Sequence, residues 1–294
     1  MSFRNTINDG SSNPPRLRMQ YNGWALIGLP RGQTEWTLPE KLDQLRAAGF
    51  DGFEAGGQDL DEARLLAAML RDRGMGFGWQ AYPTKAKDVR PFLDAALTAG
   101  ADYLTAQVFG SMMRAPQIVD VLEEMYDIVN GAGLPLFIET HRGRVTQDLL
   151  RTLRVIDRLP RVRFTGDFSH YVVAGEIGGA WPDDVWTAFK KIARRCGNWH
   201  GRIGFGEQVQ NDIGDGTGEM ATQFKALWTY GFTAWLKKAQ PGDVLGFQPE
   251  LGPPGYSITS LDGQEMSDRW QQSLVFKRLA EEAWAEAQGV ARAG

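Results

Sequence analysis

A set of polar residues closes a series of short apolar runs in this chain: Glu54, Gln80, Gln107, Glu139, His141, Asp167, His170, His200, Arg202, Gln248 and Glu250. All three histidines fall within the set. Glu139 and His141 are two residues apart, as are His200 and Arg202, and Gln248 and Glu250. In an extended strand that spacing puts both side chains on one face. Three carboxylates and one histidine come from four consecutive runs. If they meet at one spot, the like charges are costly unless a cation neutralises them. A divalent metal is the economical explanation. Oxygen-rich ligation with one imidazole suits Mn2+ or Mg2+, with Zn2+ or Co2+ as alternatives. A lone strand-end carboxylate more plainly partners a loop amide, which is the competing reading of Glu54.

The elements that must position these residues repeat about eight times. Each unit is a short apolar run, then polar residues, then an amphipathic helix. The first strand is Leu17–Tyr21 or the later stretch Trp24–Leu29, followed by a helix over Pro39–Ala48. Further strands are predicted at Gly52–Glu54, Gly76–Ala81, Tyr103–Gln107, Leu136–Thr140, Val162–Asp167, Trp199–Ile203 and Val244–Glu250. The helices between them are Leu60–Arg73, Val89–Ala99, Pro116–Ala132, Thr146–Arg158, Asp183–Arg195 and Glu219–Lys238, with a last one over Gln264–Ala287. Strands alternating with helices of this length mean βαβ units and a parallel sheet. Eight units favour a single-domain (β/α)8 TIM barrel, whose active site lies at the C-terminal ends of the strands. Residues 1–16 read as a flexible N-terminal tail and 17–294 as the barrel, since Asn, Asp, Gly, Ser and Pro dominate the first stretch.

Composition narrows the function classes. The chain has 294 residues, 43% hydrophobic and 23% charged, enough for a large core. Its formal net charge of −4 is no nucleic-acid footprint. One cysteine, Cys196, permits neither an intrachain disulfide nor a thiolate cluster. No run approaches the length of a membrane span, and no signal peptide is evident. These features predict a cytoplasmic protein without nucleic-acid or membrane partners; a homo-oligomer stays open. The basic run Lys190–Arg195 reads as a solvated helix face beside the helix C-terminus. Trp24, Trp36 and Trp79 are candidates for stacking on a sugar ring.

The segments Phe137–His141, Gly166–His170, Trp199–Phe205 and Gln248–Tyr256 resemble the xylose isomerase-like TIM barrel superfamily. Within it they are most similar to the sugar phosphate isomerase/epimerase group, over the chain from about residue 20 to the end. The resemblance implies one divalent metal held by Glu139, Asp167, His200 and Glu250. It places His170, from the Asp-x-x-His segment, on substrate oxygens. Arg202, Glu54, Gln107 and Gln80 complete the expected substrate-binding set. The epimerases carry an arginine six residues after the strand-seven histidine; here that position is Gly206. The gap between the last two strands also holds a glycine-rich loop, Gly204–Gly218.

The expected reaction is isomerisation or epimerisation of a sugar or related keto or hydroxy compound. A metal-stabilised enediolate would form as a C–H proton leaves the carbon next to a carbonyl. Glu139 or Glu250 takes the proton and the other returns it. The alternative is a lyase on the same scaffold, cleaving an oxidised glycoside or decarboxylating a keto sugar acid, with His141 as an additional acid or base. A nuclease would need a histidine-rich zinc site and a basic surface, which the composition opposes. A lid role is expected for Gly204–Gly218, with Glu207, Gln208 and Gln210 reaching the substrate.

Overall fold

The computed structural model describes residues 4–293. Helices start and stop where local chemistry dictates. Asp59 accepts hydrogen bonds from the Asp61 and Glu62 amides at 2.8 and 2.9 Å, capping helix α2 (Leu60–Asp72). Helix α3 (Val89–Ala99) ends on Gly100 at φ +66°, a left-handed conformation that glycine adopts without steric cost. Helices α1 (Leu38–Ala47), α4 (Ala115–Gly131), α5 (Leu149–Arg158), α6 (Ser169–Ala174), α7 (Asp183–Ala193), α8 (Glu219–Leu236) and α9 (Arg269–Ala293) complete the set.

After a two-residue strand β1 (Ile7–Asn8), eight strands form the barrel: β2 (Arg16–Asn22), β3 (Gly52–Gly56), β4 (Gly76–Ala81), β5 (Tyr103–Ala106), β6 (Leu136–Glu139), β7 (Phe164–Gly166), β8 (Cys196–Gly201) and β9 (Asp243–Pro249). They pair in parallel in chain order, and β9 pairs with both β8 and β2. The eight strands β2–β9 therefore close on themselves, a single-domain (β/α)8 TIM barrel. In register, Asn22 lies beside Glu54, Glu139 beside Thr165, and His200 beside Gln248.

The barrel interior is unusually polar. Arg18, Gln20, Asn22, Glu54, Thr105, Asn198 and Gln248 are all buried. Such groups need partners when buried, and each has at least one: Gln20 donates to Tyr103 Oη and to Asn198, and Thr105 bonds Thr165, although Arg18 Nε, Gln20 Oε1 and Gln248 Oε1 have none among the described residues. Glycines make room for the large rings. A Cβ on Gly78 would lie 2.3 Å from the Tyr103 ring, and one on Gly197 would lie 2.4 Å from Phe137. With Ile7 and Val244, Tyr103 and Phe137 form a buried apolar plug at the bottom of the barrel.

Several expectations change here. From Arg4 onward, the expected tail is a strap across the barrel bottom; residues 1–3 lie outside the described chain. Arg4 forms a two-pronged ion pair with Asp243 at 3.1 and 2.7 Å. Asn5 brackets Leu136 through its amide and carbonyl. Ile7 is 1% exposed, and β1 runs antiparallel to β9. One buried isoleucine and three paired polar groups are too sparse a pattern to stand out from turn-rich composition.

The first barrel strand is Arg16–Asn22, with residues 24–26 in a 3-10 turn. The strand carrying His200 is Cys196–Gly201 rather than Trp199–Ile203: Gly197 makes room for the Phe137 ring and Asn198 bonds Gln20 and Thr165 in the interior, so neither reads as part of an apolar run. Helix α6 was not anticipated; the Asp167 carboxylate accepts from the Ser169 amide at 3.0 Å and starts it. The last helix begins at Arg269, five residues later than expected.

Ile7→Ala tests the strap. Loss of a fully buried side chain from the plug should cost about 2–4 kcal/mol in urea unfolding. A change below about 0.5 kcal/mol, the size of a surface substitution, would show that β1 contributes nothing to closing the barrel.

Candidate functional site

The strand ends bring the anticipated residues to the C-terminal mouth of the barrel, but in three different environments. Glu54 on β3 is saturated. Gln80, Gln248 and Asn22 donate to its Oε1 at 2.8, 2.8 and 3.3 Å, and Tyr103 donates to Oε2 at 2.7 Å. It is fully buried and lies behind the cavity wall. Its free surface for a substrate is therefore nil, and its visible work is to hold charge beneath His200, whose Nε2 stands 3.3 Å away.

Glu139, His200 and Glu250 form the centre. Each offers a ligand atom within 4.8 Å of those of the other two. His200 Nδ1 is 3.0 Å from Glu250 Oε2 and 3.6 Å from Glu139 Oε1. Gln107 donates to Glu139 Oε1 at 3.2 Å, while Glu139 Oε2 is buried without a partner.

Asp167 sits beside this centre, drawn toward Arg202 and Ser169. Arg202 Nε donates to Asp167 Oδ2 at 3.1 Å and Nη2 donates to Glu250 Oε2 at 2.6 Å. Ser169 Oγ holds the other Asp167 oxygen at 2.5 Å. The guanidinium lies 4.6 Å from the Tyr256 ring centre, and its Nη1 is buried without a partner.

Burial drives the electrostatics. It raises the Glu139 carboxyl to about 7, with His200 opposing and Glu250 reinforcing. It raises Asp167 too, against the pull of Arg202. Burial alone would also raise Glu250, but the charge and hydrogen bond of His200 and the charge of Arg202 outweigh it and hold Glu250 at about 2. For His200, burial favours the neutral ring, yet Glu250, Glu139 and Glu54 overcome it and push the imidazole well above its ordinary value. In the metal-free protein, protons on His200 and Glu139 and the fixed charge of Arg202 together balance the carboxylates.

His141 and His170 make a second grouping around the same Glu139, with ligand atoms within 4.8 Å of one another. Their rings lie 3.9 Å apart. Both are held neutral, chiefly by burial, with His141 brought down to about 3. His141 Nε2 meets Tyr256 Oη at 3.1 Å, and neither ring nitrogen of His170 has a hydrogen-bond partner.

A cavity of about 250 Å³ opens over this centre, lined by Trp24, Gln80, Tyr82, Gln107, His141, Arg144, Arg202, Glu250 and Tyr256. Of the residues singled out from the sequence for substrate or catalysis, Gln80, Gln107, His141, Arg202 and Glu250 line this cavity, while the fully buried Glu54 and His170 do not. Of the three tryptophan candidates, Trp24 lines it. Trp36 packs edge-on against Trp270, and Trp79 is buried, donating to the Gly57 carbonyl. Tyr82, Arg144 and Tyr256 escaped the sequence reading. Arg144 grips Gln107 Oε1 at 3.0 and 3.2 Å, which in turn orients the Gln107 amide toward Glu139. Only Tyr82, one residue past β4, carried a positional signal.

The loop Gly204–Gly218 does not reach the cavity in this structure. Gln210 is buried and bonds both backbone groups of Gly252, at 3.0 and 2.7 Å. Ile213 N bonds Gln272 on α9, while Glu207 and Gln208 face solvent. The loop is a packed brace for the segment after β9.

The donor set suits a divalent cation. A buried Glu–His–Glu triad, with His200 Nδ1 facing both carboxylates and a Glu139 oxygen without a partner, leaves coordination capacity unused. Asp167 is the adjoining carboxylate, and joining that set would mean releasing Arg202.

No protein-family model matches the chain, and no curated protein sequence matches it. Solved structures do match over nearly its whole length. An L-ribulose 3-epimerase superposes with a TM-score of 0.61 at 14% identity, covering 94% of this chain and 97% of that one. A D-psicose 3-epimerase solved in the presence of D-fructose gives 0.57 at 12%, covering 93% and 99%. A xylose isomerase-like TIM barrel protein from Mycobacterium smegmatis, in complex with magnesium, gives 0.54 at 12%, covering 94% and 98%. The fold implied by the sequence resemblance is the fold observed.

Arg202→Met tests the charge balance. It strands two buried carboxylates, and losing one member of such a pair costs about 3–5 kcal/mol. In chelator-treated protein the loss should be larger at pH 8 than at pH 5, where Glu139 is protonated and the negative charge left uncompensated is smaller. Equal stability of variant and wild type at pH 8 would show that Arg202 is not the balancing cation.

Proposed function

We propose that this protein is a divalent-metal-dependent isomerase or epimerase of a sugar or a related keto or hydroxy compound. The observation that carries the reading is the buried Glu139–His200–Glu250 triad under a cavity of about 250 Å³. That volume suits a monosaccharide-sized ligand. An L-ribulose 3-epimerase and a D-psicose 3-epimerase share the fold over 94% and 93% of this chain, and one similar barrel was solved in complex with magnesium. None of these comparisons adds support to the lyase reading.

Glu139, His200 and Glu250 hold the ion, Mn2+ or Mg2+, with Asp167 as the fourth ligand. The ion supplies a Lewis acid that lowers the cost of negative charge on a substrate oxygen. Glu139 and Glu250 flank the same centre, a carboxylate pair placed to take and give protons at adjoining substrate atoms. With its carboxyl deprotonated on cation binding, Glu139 would remove the C–H proton next to the carbonyl; that proton would go back from Glu139 in an isomerisation, whereas an epimerisation would have Glu250 take a proton from solvent and deliver it to the opposite face. Arg202 positions Glu250 and presents its unpaired Nη1 to substrate oxygens. Gln80 and Gln107 fix hydroxyls from the wall, and Trp24 and Tyr256 cover the apolar face of the ring. His170 backs His141, which meets the substrate through the Tyr256 hydroxyl.

Proton exchange is the direct test of the chemistry. Incubated with Mn2+ and keto sugars in D2O, the protein should wash deuterium into one carbon next to the carbonyl. Glu139→Gln should cut that exchange at least about 10²-fold, the low end for a lost general base, with metal content measured alongside. Turnover without any solvent deuterium would replace proton abstraction by a hydride shift.

Metal affinity should follow pH. Glu139 titrates near 7 in the folded metal-free protein, above the ordinary 4.5. Its protonated form therefore stabilises the fold below about pH 4.5, and that contribution is lost as pH rises to 7. Cation binding requires the carboxylate, so it strengthens over the same window. The gain in Tm from about 1 mM Mn2+ should be larger at pH 7.5 than at pH 5.5. A gain independent of pH would remove Glu139 from the ligand set.

A further inference from the structure

A larger cavity, about 870 Å³, lies at the opposite end of the barrel, where the strands begin. Its wall includes Arg4, Arg161, Arg163, Lys191, Arg194, Arg195 and Lys238, with Asp243 as the one acidic residue. Three of these cations have carboxylate partners: Arg4 with Asp243, Arg161 with Asp127 and Lys191 with Asp157. Arg163, Arg194, Arg195 and Lys238 have none among the described residues. In a chain of net charge −4, that concentration is not a property of the surface at large.

Arg163 and Arg195 are the centre of it. The Nη1 atoms of both donate to the same acceptor, the Pro160 carbonyl oxygen. Two guanidinium groups therefore stand side by side, from the start of β7 and the start of β8, with no anion between them. Like charges that close repel, and each is partly shielded from water. The cost shows on Arg195, whose proton affinity falls below the ordinary value through burial first and the Arg163 charge second. Paired arginine forks match the oxygens of a phosphate group, which accepts two parallel hydrogen bonds from each. Arg194 and Lys238 add two further charges, enough for a second phosphate. Trp235, Ala234 and Ala239 supply an apolar stretch of wall beside them.

We propose that this cavity binds a small organic anion carrying two or more phosphate groups, held by Arg163 and Arg195 and flanked by Arg194 and Lys238. The basic run Lys190–Arg195 is thus not only a solvated helix face, since Lys191, Arg194 and Arg195 line the cavity, Lys191 with its ammonium on Asp157 and Arg194 with its Nε on the Tyr230 hydroxyl. Its concave form, closed on one side by the strap Arg4–Thr6, fits a compact ligand rather than a nucleic-acid backbone, which needs an open stripe of charge. The site is independent of the metal centre and of the reaction proposed there.

Calorimetric titration of the full chain with inorganic pyrophosphate is the test. One site with Kd at or below about 1 mM at near-physiological salt is expected, with inorganic phosphate binding at least about tenfold more weakly. The double variant Arg163→Gln, Arg195→Gln should weaken pyrophosphate at least about tenfold, one step of 1.4 kcal/mol. Its melting temperature should stay the same or rise, because a repulsive pair is gone. Arg90→Gln, on the exposed face of α3, should leave binding unchanged. The proposal is overturned by the absence of saturable binding up to about 10 mM, by a double variant that binds like wild type, or by equal weakening in Arg90→Gln. Phosphate binding as tightly as pyrophosphate would overturn the two-phosphate requirement. A short single-stranded RNA that displaces pyrophosphate and binds more tightly through the same arginines would replace a small ligand with a nucleic acid.

Discussion

Four buried carboxylates meet in one barrel mouth, and their mutual repulsion is the constraint that the rest of the site answers. At 4 Å, two like charges repel by about 4 kcal/mol at the effective dielectric of a protein near its surface. Glu54, Glu139, Asp167 and Glu250 cannot all be ionised there without compensation. Glu54 is answered by neutral donors, four of them. Asp167 and Glu250 are answered by one guanidinium, Arg202. Glu139 retains an oxygen that nothing answers, next to an imidazole held in its charged form by its neighbours. The place where internal compensation is incomplete is the place where a divalent cation fits.

That constraint explains features far from the mouth. Glutamines and asparagines fill positions that branched aliphatics usually occupy in such barrels, because they must carry donors up to Glu54. Gln20, Tyr103 and Asn198 form the lower part of that chain, and Gly78 is free of a side chain where the Tyr103 ring passes. A polar interior leaves less apolar area to hold the barrel together. The plug of Ile7, Tyr103, Phe137 and Val244 restores some of it at the bottom, which is why the chain before β2 is drawn into the fold.

The closed eightfold unit was legible in the sequence because each helix has a clear apolar face and each strand a bounded run. The polar strand ends were legible for the same reason: a period of two, counted from those runs, put Glu139 with His141 and His200 with Arg202. What escaped is what depends on contacts between distant segments. Nothing local distinguishes Glu54 as a saturated anion from Glu139 as an unsatisfied one; the difference lies in donors contributed by β2, β4, β5 and β9. Arg144 and Tyr256 reach the cavity from loops without periodicity. Gln210 lies in a glycine-rich stretch that looks mobile, yet two backbone hydrogen bonds to Gly252 anchor it. The two arginines at the barrel bottom belong to different units, thirty-two positions apart in the chain, and only closure of the barrel makes them neighbours.

The central claim is that protons occupy the place of a divalent cation at Glu139 and His200 in the metal-free protein. Calorimetric titration of chelator-treated protein with Mn2+ at pH 7, repeated in two buffers of different ionisation enthalpy, counts the protons that leave as the ion enters. One ion per chain with release of about one proton or more is predicted, since both ligands must be deprotonated to bind, and Glu139→Gln should reduce the number released. Saturable Mn2+ binding with no proton released, or no binding at all, would contradict the account.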